Sequence, residues 1–423
     1  MKSENTLSVG IIGYGGRGRG VVNDVLLGLV PSEIEIVAVC DSYADRAECA
    51  CEDVYKATGT KPAVFTDYRE LCEKADVDAV FVFSAWEAHF DIAICAMKHG
   101  IAVGFEVGGA YSIDKLWQLV HTQEETGVNC MMLENCCYGE RELMALGIVR
   151  EGLFGEIVQC SGGYCHDLRG EITGGIENRH YRLRNYAGRN CENYPTHELG
   201  PIAKLLNINN GNRMLTLTSV ASGAHGLYEY VGRGNVNERL SSFGFAQGDI
   251  VNTTIKCAGG QTILLTLDTT LPRTYDRAFT VRGTKGGYFG ITDSIFFDGE
   301  HNGYEFCGEK LWGNASEYAE RYKHRIWKDY DPHGGHGGMD YLVMSAFIDS
   351  VKNGVRPPID VYDSASWAAI SVLSEESIAL GGAPVAIPDF TNGRWLCRDD
   401  ISDSPESFYN LDDKEIAKKY RNN

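Results

Sequence analysis

Four glycines lie close together near the N-terminus, in the segment Gly13-Tyr14-Gly15-Gly16-Arg17-Gly18. The segment follows an apolar stretch and precedes an apolar-periodic one, as a turn between a strand and a helix does. Such glycines let the backbone approach a pyrophosphate, and the N-terminus of the helix offers it partial positive charge. Asp41 ends the next predicted strand, roughly 20 residues on, where an acidic residue can hold the ribose hydroxyls of a dinucleotide. We therefore predict an NAD site that includes Gly13, Gly15, Gly16, Arg17 and Asp41.

Asp41 also bears on the choice between NAD and NADP. Its carboxylate would repel the additional phosphate of NADP, which favours NAD. Arg17, Arg19 and Arg46 could neutralise that phosphate, so NADP stays open as the alternative.

Polar residues at the ends of three later predicted strands are expected to line the same site. They belong to the segments 84–89, 106–109 and 134–136. Because ligands of parallel α/β sheets bind outside the carboxyl ends of the strands, we expect all three segments near the cofactor.

A second set of residues has the side chains needed for proton transfer. Tyr164 and His166 are two positions apart in a predicted strand, so their side chains face the same side. His197 follows Thr196, which we predict as the N-cap of a helix. The positive end of that helix is expected to keep the imidazole neutral, ready to act as a base.

The elements that position these residues begin with a βαβ pattern. Up to about residue 140, short β-branched runs alternate with amphipathic helical stretches, which predicts a doubly wound parallel sheet. The predicted strands are Leu7–Ile12, Ile34–Cys40, Ala79–Phe83, Ile101–Phe105 and Cys130–Leu133, and the predicted helices include Asp91–His99, Ile113–Thr126 and Arg141–Glu151.

From residue 156 to residue 290 the sequence alternates apolar with polar residues, as in Thr262–Asp268. This pattern is typical of an antiparallel sheet with one covered face. Helices return at Met339–Lys352 and Tyr362–Leu380. We predict an α/β protein with an N-terminal Rossmann domain over residues 1–145. The remaining residues, 146–423, are predicted to form an α+β domain built on a large, mostly antiparallel open sheet.

The composition argues against several classes of protein. A formal charge of -19 argues against nucleic-acid binding, which needs a basic surface. The sequence shows neither a signal peptide nor an apolar run near the ~18 residues of a transmembrane helix. The 14 cysteines contain no Cys-x-x-Cys pair and are expected to be reduced thiols. We expect a soluble cytoplasmic protein with no metal, nucleic-acid or membrane partner.

The whole pattern resembles the glucose-fructose oxidoreductase, inositol dehydrogenase and rhizopine catabolism superfamily. Dehydrogenases of that superfamily end the fifth strand in Glu-Lys-Pro, and the lysine helps to deprotonate the substrate hydroxyl. This chain has Glu106-Val107-Gly108 there, and valine can neither take a proton nor hydrogen-bond a sugar. The dehydrogenases also carry an aspartate four residues before a catalytic histidine, where this chain has Asn193 before His197. Both departures argue against a simple dehydrogenase.

A narrower resemblance is to glycoside hydrolase family 109, whose members are NAD-dependent glycosidases best known as α-N-acetylgalactosaminidases. Five motifs in the same order carry it, namely residues 106–107, 134–138, 163–169, 194–201 and 333–340. By this resemblance the cofactor would contact Trp86, His89, Glu106, Val107 and Asn135. The substrate would contact Tyr164, Arg182, Tyr194, Pro195, Thr196, His197 and Tyr275.

The resemblance also implies a mechanism, in which NAD oxidises the sugar at C3 and so makes the C2 proton acidic. The aglycone leaves C1 by elimination, water adds there, and C3 is reduced again. His197 would handle the C3 hydroxyl proton, and Tyr164 or His166 the C2 proton. Tyr194 and Tyr275 would hold the sugar or assist, and Glu134 would orient one of these groups.

Two other functions stay open, a net sugar or cyclitol dehydrogenase and an NAD-bound protein that senses a sugar without turnover. His333 and His336 could pair on a metal, although the surrounding glycines favour a mobile loop near the sugar. The superfamily further implies a homodimer or homotetramer that associates through the second sheet.

Overall fold

The N-terminal part of the chain folds as a parallel sheet with helices between its strands. The computed structural model describes residues 6–304 and 307–398. The strands are β1 (Leu7–Ile12), β2 (Ile34–Cys40), β3 (Ala63–Phe65), β4 (Ala79–Val82), β5 (Ala102–Phe105) and β6 (Cys130–Met132). They pair in the order β3-β2-β1-β4-β5-β6, and each pair is parallel. The predicted Rossmann fold is confirmed.

The helices of this part follow from their apolar faces and end signals. They are α1 (Gly16–Asp24), α2 (Ala44–Thr58), α3 (Tyr68–Lys74), α4 (His89–Lys98), α5 (Ile113–Thr126) and α6 (Glu140–Arg150). In α5, the Ser112 side chain accepts a hydrogen bond from the backbone N–H of Lys115, and Gly127 ends the helix at φ 68°. Glycine adopts this left-handed conformation without strain, so the helix stops where the sequence predicts.

The second sheet has eight strands. They are β7 (Ile157–Cys165), β8 (Met214–Ala221), β9 (Ile250–Cys257), β10 (Thr262–Asp268), β11 (Thr280–Gly283), β12 (Gly286–Phe289), β13 (Ser294–Phe297) and β14 (Val385–Ala386). Their order is β13-β12-β11-β7-β10-β9-β8-β14. Only the central pair of β7 and β10 is parallel among these described strands. In β9 every second residue is buried, which confirms a mostly antiparallel sheet with one covered face.

Helices cover that face and connect it to the first sheet. The helices after α6 are α7 (Arg169–Thr173), α8 (Arg182–Gly188), α9 (Thr196–Leu205), α10 (Gly226–Gly232), α11 (Ala315–Ala319), α12 (Met339–Asn353) and α13 (Val361–Ala379). Helix α9 lies so close to β7 that a Cβ at Gly162 would be 2.7 Å from Cβ of Glu198. Helix α13 packs against both β8 and α5. Within the described ranges, no helix combines the length and apolar character needed to cross a membrane.

Candidate active site

The glycine-rich turn lies between β1 and α1, as predicted. Gly13 has φ +96°, and a Cβ there would be 2.6 Å from the backbone of Phe83. A Cβ at Gly18 would overlap the carbonyl oxygen of Gly13, whereas one at Gly16 would have no atom within 4 Å. Gly15 is the N-cap residue of α1 and has no side chain to cap the helix. The turn is therefore closed on its inner side and open on its outer side, where free N–H groups can receive a pyrophosphate.

Asp41 lies directly beside this turn. Its Oδ2 accepts a hydrogen bond from the backbone N–H of Tyr14 at 2.7 Å, and its Oδ1 accepts one from Tyr43 at 2.9 Å. The buried carboxylate therefore holds the turn in place at the position predicted for ribose binding. The turn, the uncapped helix and Asp41 together fit an NAD molecule.

Two of the three arginines that left NADP open are paired with carboxylates. Arg17 Nε lies 2.8 Å from Oε1 of Glu106, and Arg19 Nε lies 3.0 Å from Oδ2 of Asp53. Arg46 donates to the carbonyl oxygen of Asn178 at 2.7 Å. The charges of Arg17 and Arg19 are thus balanced by carboxylates of the protein, whereas the partner of Arg46 is a neutral carbonyl.

The later strand ends also lie where they were predicted. Trp86 is buried, and a Cβ at Gly108 would overlap its indole ring. His89 Nε2 lies 2.9 Å from the carbonyl oxygen of Ser84, and burial lowers the pKa of His89 to about 4. This imidazole is therefore neutral at physiological pH. Val107 is also buried, directly after β5 and Glu106.

The predicted proton-transfer residues form one cluster around Tyr164. Its ring centroid lies 4.4 Å from that of Tyr194, 5.2 Å from His197 and 6.3 Å from Tyr275. The Tyr164 hydroxyl is 3.2 Å from Nδ1 of His166, so these two side chains do face the same side. Burial raises the pKa of Tyr164 and lowers the pKa of His166, which keeps both groups neutral.

His197 contacts a buried carboxylate. Its Nδ1 lies 2.8 Å from Oε1 of Glu134, which also accepts a hydrogen bond from the backbone N–H of Cys136 at 3.0 Å. The Glu134 side chain is fully buried. Burial by itself raises the pKa of Glu134, but the charge and hydrogen bond of His197 outweigh it, and the net pKa lies below its ordinary value. An ionised Glu134 orients the ring and can stabilise its protonated form.

The prediction that Thr196 is an N-cap is wrong. Helix α9 begins at Thr196 itself, and Pro195 precedes it with φ -72° and ψ -22°. Proline has a backbone angle suited to the start of a helix, so the helix begins one residue earlier than predicted. His197 still lies in the first turn, and its role as a base stays a prediction.

Asn193 does not replace the aspartate of the related dehydrogenases as a partner of the histidine. Its side chain is buried and hydrogen-bonds Gln247, and its Oδ1 accepts from Sγ of Cys191 at 3.2 Å. The carboxylate that contacts His197 comes instead from Glu134, at the end of β6. His197 therefore has a carboxylate partner although residue 193 is an asparagine.

Arg182 forms one wall of the cluster. Its guanidinium carbon lies 5.0 Å from the ring centroids of Trp86 and Tyr194, and its Nε is 2.5 Å from Oε1 of Glu171. Within the described residues, its buried Nη1 has no hydrogen-bond partner. A bound molecule could satisfy this donor, which suits the predicted contact with a substrate.

The segment with His333 and His336 lies on the cofactor side of the molecule. His336 Nδ1 is 2.9 Å from Oδ2 of Asp340, and the same carboxylate pairs with Arg17. The ring of His333 packs on that of Tyr341, with centroids 4.2 Å apart. Sequence reasoning included Asp340 in the motif 333–340 but gave it no role, because no local pattern connects it with Arg17, more than 300 positions away.

Within the described ranges, one group of side chains could hold a metal ion. It consists of Glu134, Cys136 and His197, whose potential ligand atoms lie within 4.8 Å of one another. Burial raises the pKa of the Cys136 thiol well above its ordinary value. Metal ligation needs a thiolate. The hydrogen bond between Glu134 and His197 already accounts for the other two groups, so we assign no metal to them.

Fold and site together define a class, a Rossmann-fold enzyme that binds NAD and acts on a small sugar. Residues 7–134 match the family described as "Oxidoreductase family, NAD-binding Rossmann fold". Residues 138–397 match the family described as "Glycosyl hydrolase 109, C-terminal domain". The chain belongs to glycosyl hydrolase family 109, and it is an NAD-dependent glycoside hydrolase.

Relatives align with nearly the whole chain. An alpha-N-acetylgalactosaminidase of Tannerella forsythia is 38% identical over 94% of this chain and 89% of its own length. A glycosyl hydrolase family 109 protein of Parabacteroides distasonis is 36% identical, also over 94% of this chain and 89% of its own length.

Solved structures of oxidoreductases share the fold. An NAD-binding oxidoreductase from Klebsiella pneumoniae has a TM-score of 0.68 at 16% identity, over 91% of this chain and 100% of its own. A levoglucosan dehydrogenase in complex with NADH and levoglucosan has a TM-score of 0.67, with the same identity and coverage. At such identities these structures support the fold and not the reaction.

Proposed function

We propose that the protein hydrolyses the glycosidic bond of a hexosaminide, such as an α-N-acetylgalactosaminide, or of a related hexoside, through transient oxidation at C3. The observation that carries this proposal is the contact of His197 with Glu134 inside the Tyr164 cluster, 2.8 Å between Nδ1 and Oε1. Val107 occupies the position at which sugar dehydrogenases usually have a lysine. The lysine that helps to deprotonate the hydroxyl in those dehydrogenases is therefore missing, while other proton-transfer groups, His197, Tyr164 and His166, lie together in the site.

Bound NAD supplies a reversible oxidation of the C3 hydroxyl, and the resulting carbonyl makes the C2 proton acidic. His197 accepts the C3 hydroxyl proton at Nε2, because Glu134 occupies its Nδ1. Glu134 stabilises the imidazolium that forms, as a buried carboxylate does for a general base. When C3 is reduced again, the same imidazolium returns the proton.

Tyr164 or His166 accepts the C2 proton. Their hydroxyl and Nδ1 atoms are 3.2 Å apart, so a proton taken by one can pass to the other. The neutral imidazole of His166 is the better acceptor of the two, because it has an unprotonated ring nitrogen, whereas burial raises the pKa of Tyr164 and keeps its hydroxyl protonated. Elimination of the aglycone from C1 then follows, and water adds at the same carbon.

The remaining residues of the site hold the sugar in place. Tyr194 is buried against Tyr164, whereas Tyr275 is half exposed and lies at the rim. Arg182 offers a buried donor that lacks a partner in the described part of the chain. Pro195 and Thr196 place backbone groups next to His197 at the start of α9.

The test is an assay with an aryl α-N-acetylgalactosaminide in D₂O, with NAD⁺ far below the substrate concentration. We expect release of the phenol over many turnovers per NAD⁺, no net NADH, and deuterium at C2 of the released sugar. A direct displacement at C1 would leave C2 unlabelled, which would contradict the proposed route.

The same assay separates the other two functions. A net dehydrogenase would accumulate one NADH for each free sugar or cyclitol oxidised. A sensing protein would retain NAD and bind sugars without releasing aglycone from any member of a glycoside panel.

We further propose that the enzyme acts as a homodimer or homotetramer in the reducing cytoplasm. The eight-stranded sheet supports association, since Val158 and Val220 expose 56% and 54% of their surface on its strands. The described cysteines are thiols, as expected of a reducing compartment. Light scattering after size exclusion would measure the number of copies, and a monomer would contradict association.

A further inference from the structure

A carboxylate of helix α12 is buried against two residues of the predicted cofactor site. Asp340 lies in the first turn of α12, and its side chain is 1% exposed. Oδ1 accepts from Asn135 Nδ2 at 2.8 Å and from Arg17 Nη2 at 2.9 Å. Oδ2 accepts from Arg17 Nη1 at 2.6 Å and lies 2.9 Å from Nδ1 of His336. One carboxylate thus connects the glycine-rich turn, the end of β6 and the start of α12.

The glycines before Asp340 are explained by this contact. A Cβ at Gly335 would overlap Oδ2 of Asp340. Gly334, Gly337 and Gly338 have φ values of +76°, +65° and +96°, which disfavour other residues. The glycine-rich segment therefore lets the first turn of α12 approach Arg17 closely.

Arg17 is held from two sides. Its Nε lies 2.8 Å from Oε1 of Glu106, while both terminal nitrogens contact Asp340. Burial by itself disfavours the charged forms of Arg17 and Asp340. The charges and hydrogen bonds of their partners outweigh burial, so the pKa of Arg17 is raised and the pKa of Asp340 is well below its ordinary value. The pair is therefore ionised at any physiological pH. With all its nitrogens engaged, Arg17 is a fixed part of the site and not a free ligand for phosphate.

We propose that Asp340 is a positioning residue for NAD, through its contacts with Arg17 and Asn135. The proposal rests on the assignment of these two residues to the cofactor site. In the absence of Asp340, Arg17 would lose its bidentate partner and Asn135 would lose an acceptor. Both side chains would then be free to leave the positions in which they meet the cofactor, and a buried charge would be left with one partner fewer.

The test is a double-mutant cycle on NAD⁺ affinity, measured by calorimetry on the full-length apoprotein. Asp340→Asn keeps the size of the side chain and removes its charge, and we expect its Kd for NAD⁺ to rise about tenfold or more. Arg17→Ala should also weaken binding. Because Asp340 acts partly through Arg17 and partly through Asn135, the rise in Kd of the double variant should exceed that of Arg17→Ala but stay below the product of the two single rises.

The matched control is Asp363→Asn in helix α13. Asp363 is also a buried aspartate paired with a cation, with Lys204 Nζ at 2.6 Å from Oδ2. This variant should lower the melting temperature and leave the Kd for NAD⁺ unchanged. If Asp340→Asn does not fold, Gly335→Ala takes its place, because its methyl group would displace the carboxylate from Arg17. Its φ of -71° suits alanine, so weaker NAD⁺ binding is again expected.

The inference is overturned by an unchanged Kd in Asp340→Asn, by additive effects in the cycle, or by an equal loss in Asp363→Asn. An unchanged Kd in Arg17→Ala would also overturn it, since the assumed cofactor contact would be absent. The proposed function is tested by aglycone release from the wild type, which does not depend on these Kd values. The two proposals can therefore fail independently.

Discussion

At the scale of the residue, the proposed chemistry depends most on the contact between His197 and Glu134. Glu134→Gln keeps the shape of the side chain but cannot stabilise an imidazolium. We expect kcat to fall about 10²- to 10⁴-fold with little change in KM, because the loss concerns a proton transfer and not binding. Steady-state kinetics with an aryl glycoside would measure both. A rise in KM with normal kcat would instead assign Glu134 to substrate binding.

Glu192 shows how burial alone changes an acidic residue. It is fully buried, its Oε2 has no hydrogen-bond partner in the described ranges, and burial raises the pKa of Glu192 from 4.5 to about 8. The folded state therefore holds a proton that the unfolded state has released between these pH values. Stability from this group is full below pH 4.5 and is lost as the pH rises towards 8.

Glu192→Gln should remove this pH dependence, because glutamine stays neutral. We expect the melting temperature of the variant, relative to the wild type, to rise steadily from pH 5 to pH 8. Thermal unfolding at several pH values would measure the difference. A constant difference across this range would mean that Glu192 is already ionised in the folded state and would contradict the raised pKa.

At the scale of the element, the sequence predicts best where the pattern is local and apolar. Strands β1 and β2 and helix α5 have the predicted bounds, because their apolar residues and end signals lie within each segment. Strand β3 was not predicted, since its three apolar residues are too few to show a strand pattern and are largely exposed. The parallel pairing of β7 with β10 was not predicted either, because pairing between distant segments leaves no local trace.

The same distinction applies to the site. The positions of Asp41, Tyr164 and His166 follow from spacing within or just after a strand, and the structure brings them where expected. The partnership of Asp340 with Arg17 depends on how α12 returns to the first sheet, which no local pattern encodes. Positions that depend on local geometry could be predicted, and contacts between distant elements could not.

The turn between β1 and α1 allows a prediction at this scale. A Cβ at Gly16 would meet nothing within 4 Å, so Gly16→Ala should fold normally and keep or slightly raise the melting temperature. The methyl group would occupy the outer side of the turn, so we expect NAD⁺ binding to weaken about tenfold or more. Gly18→Ala is the contrasting variant, since its Cβ would overlap the carbonyl of Gly13 and lower stability. Calorimetry and thermal unfolding together would measure both effects, and wild-type NAD⁺ affinity in Gly16→Ala would contradict the placement of the cofactor.

At the scale of the whole molecule, the second part of the chain reaches back to the first on the Asp41 side. Arg179 contacts both carboxylate oxygens of Asp45, at 3.0 and 2.8 Å, and its guanidinium lies 4.3 Å from the ring centroid of Tyr43. Asn178 accepts a hydrogen bond from Arg46, whose Nη1 is 3.5 Å from the position of a Cβ on Gly15. Residues 178–179 thus lie next to the turn that would hold the pyrophosphate, and we expect these contacts to help retain NAD on that side.

Arg179→Ala should therefore speed the release of NAD⁺. The side chains of Arg179 and Asp45 are 37% and 67% exposed, so their pair is screened by solvent and we expect about a two- to fivefold faster release. The difference should shrink at high salt, because exposed ion pairs are screened. Lys56→Ala is the control, since Lys56 forms an exposed pair with Glu52 in α2 and lies outside the crossing contacts. Stopped-flow displacement of bound NAD⁺ would measure the rates, while kcat at saturating NAD⁺ should not change in either variant. An unchanged release rate in Arg179→Ala, or an equal acceleration in Lys56→Ala, would show that these contacts do not retain the cofactor.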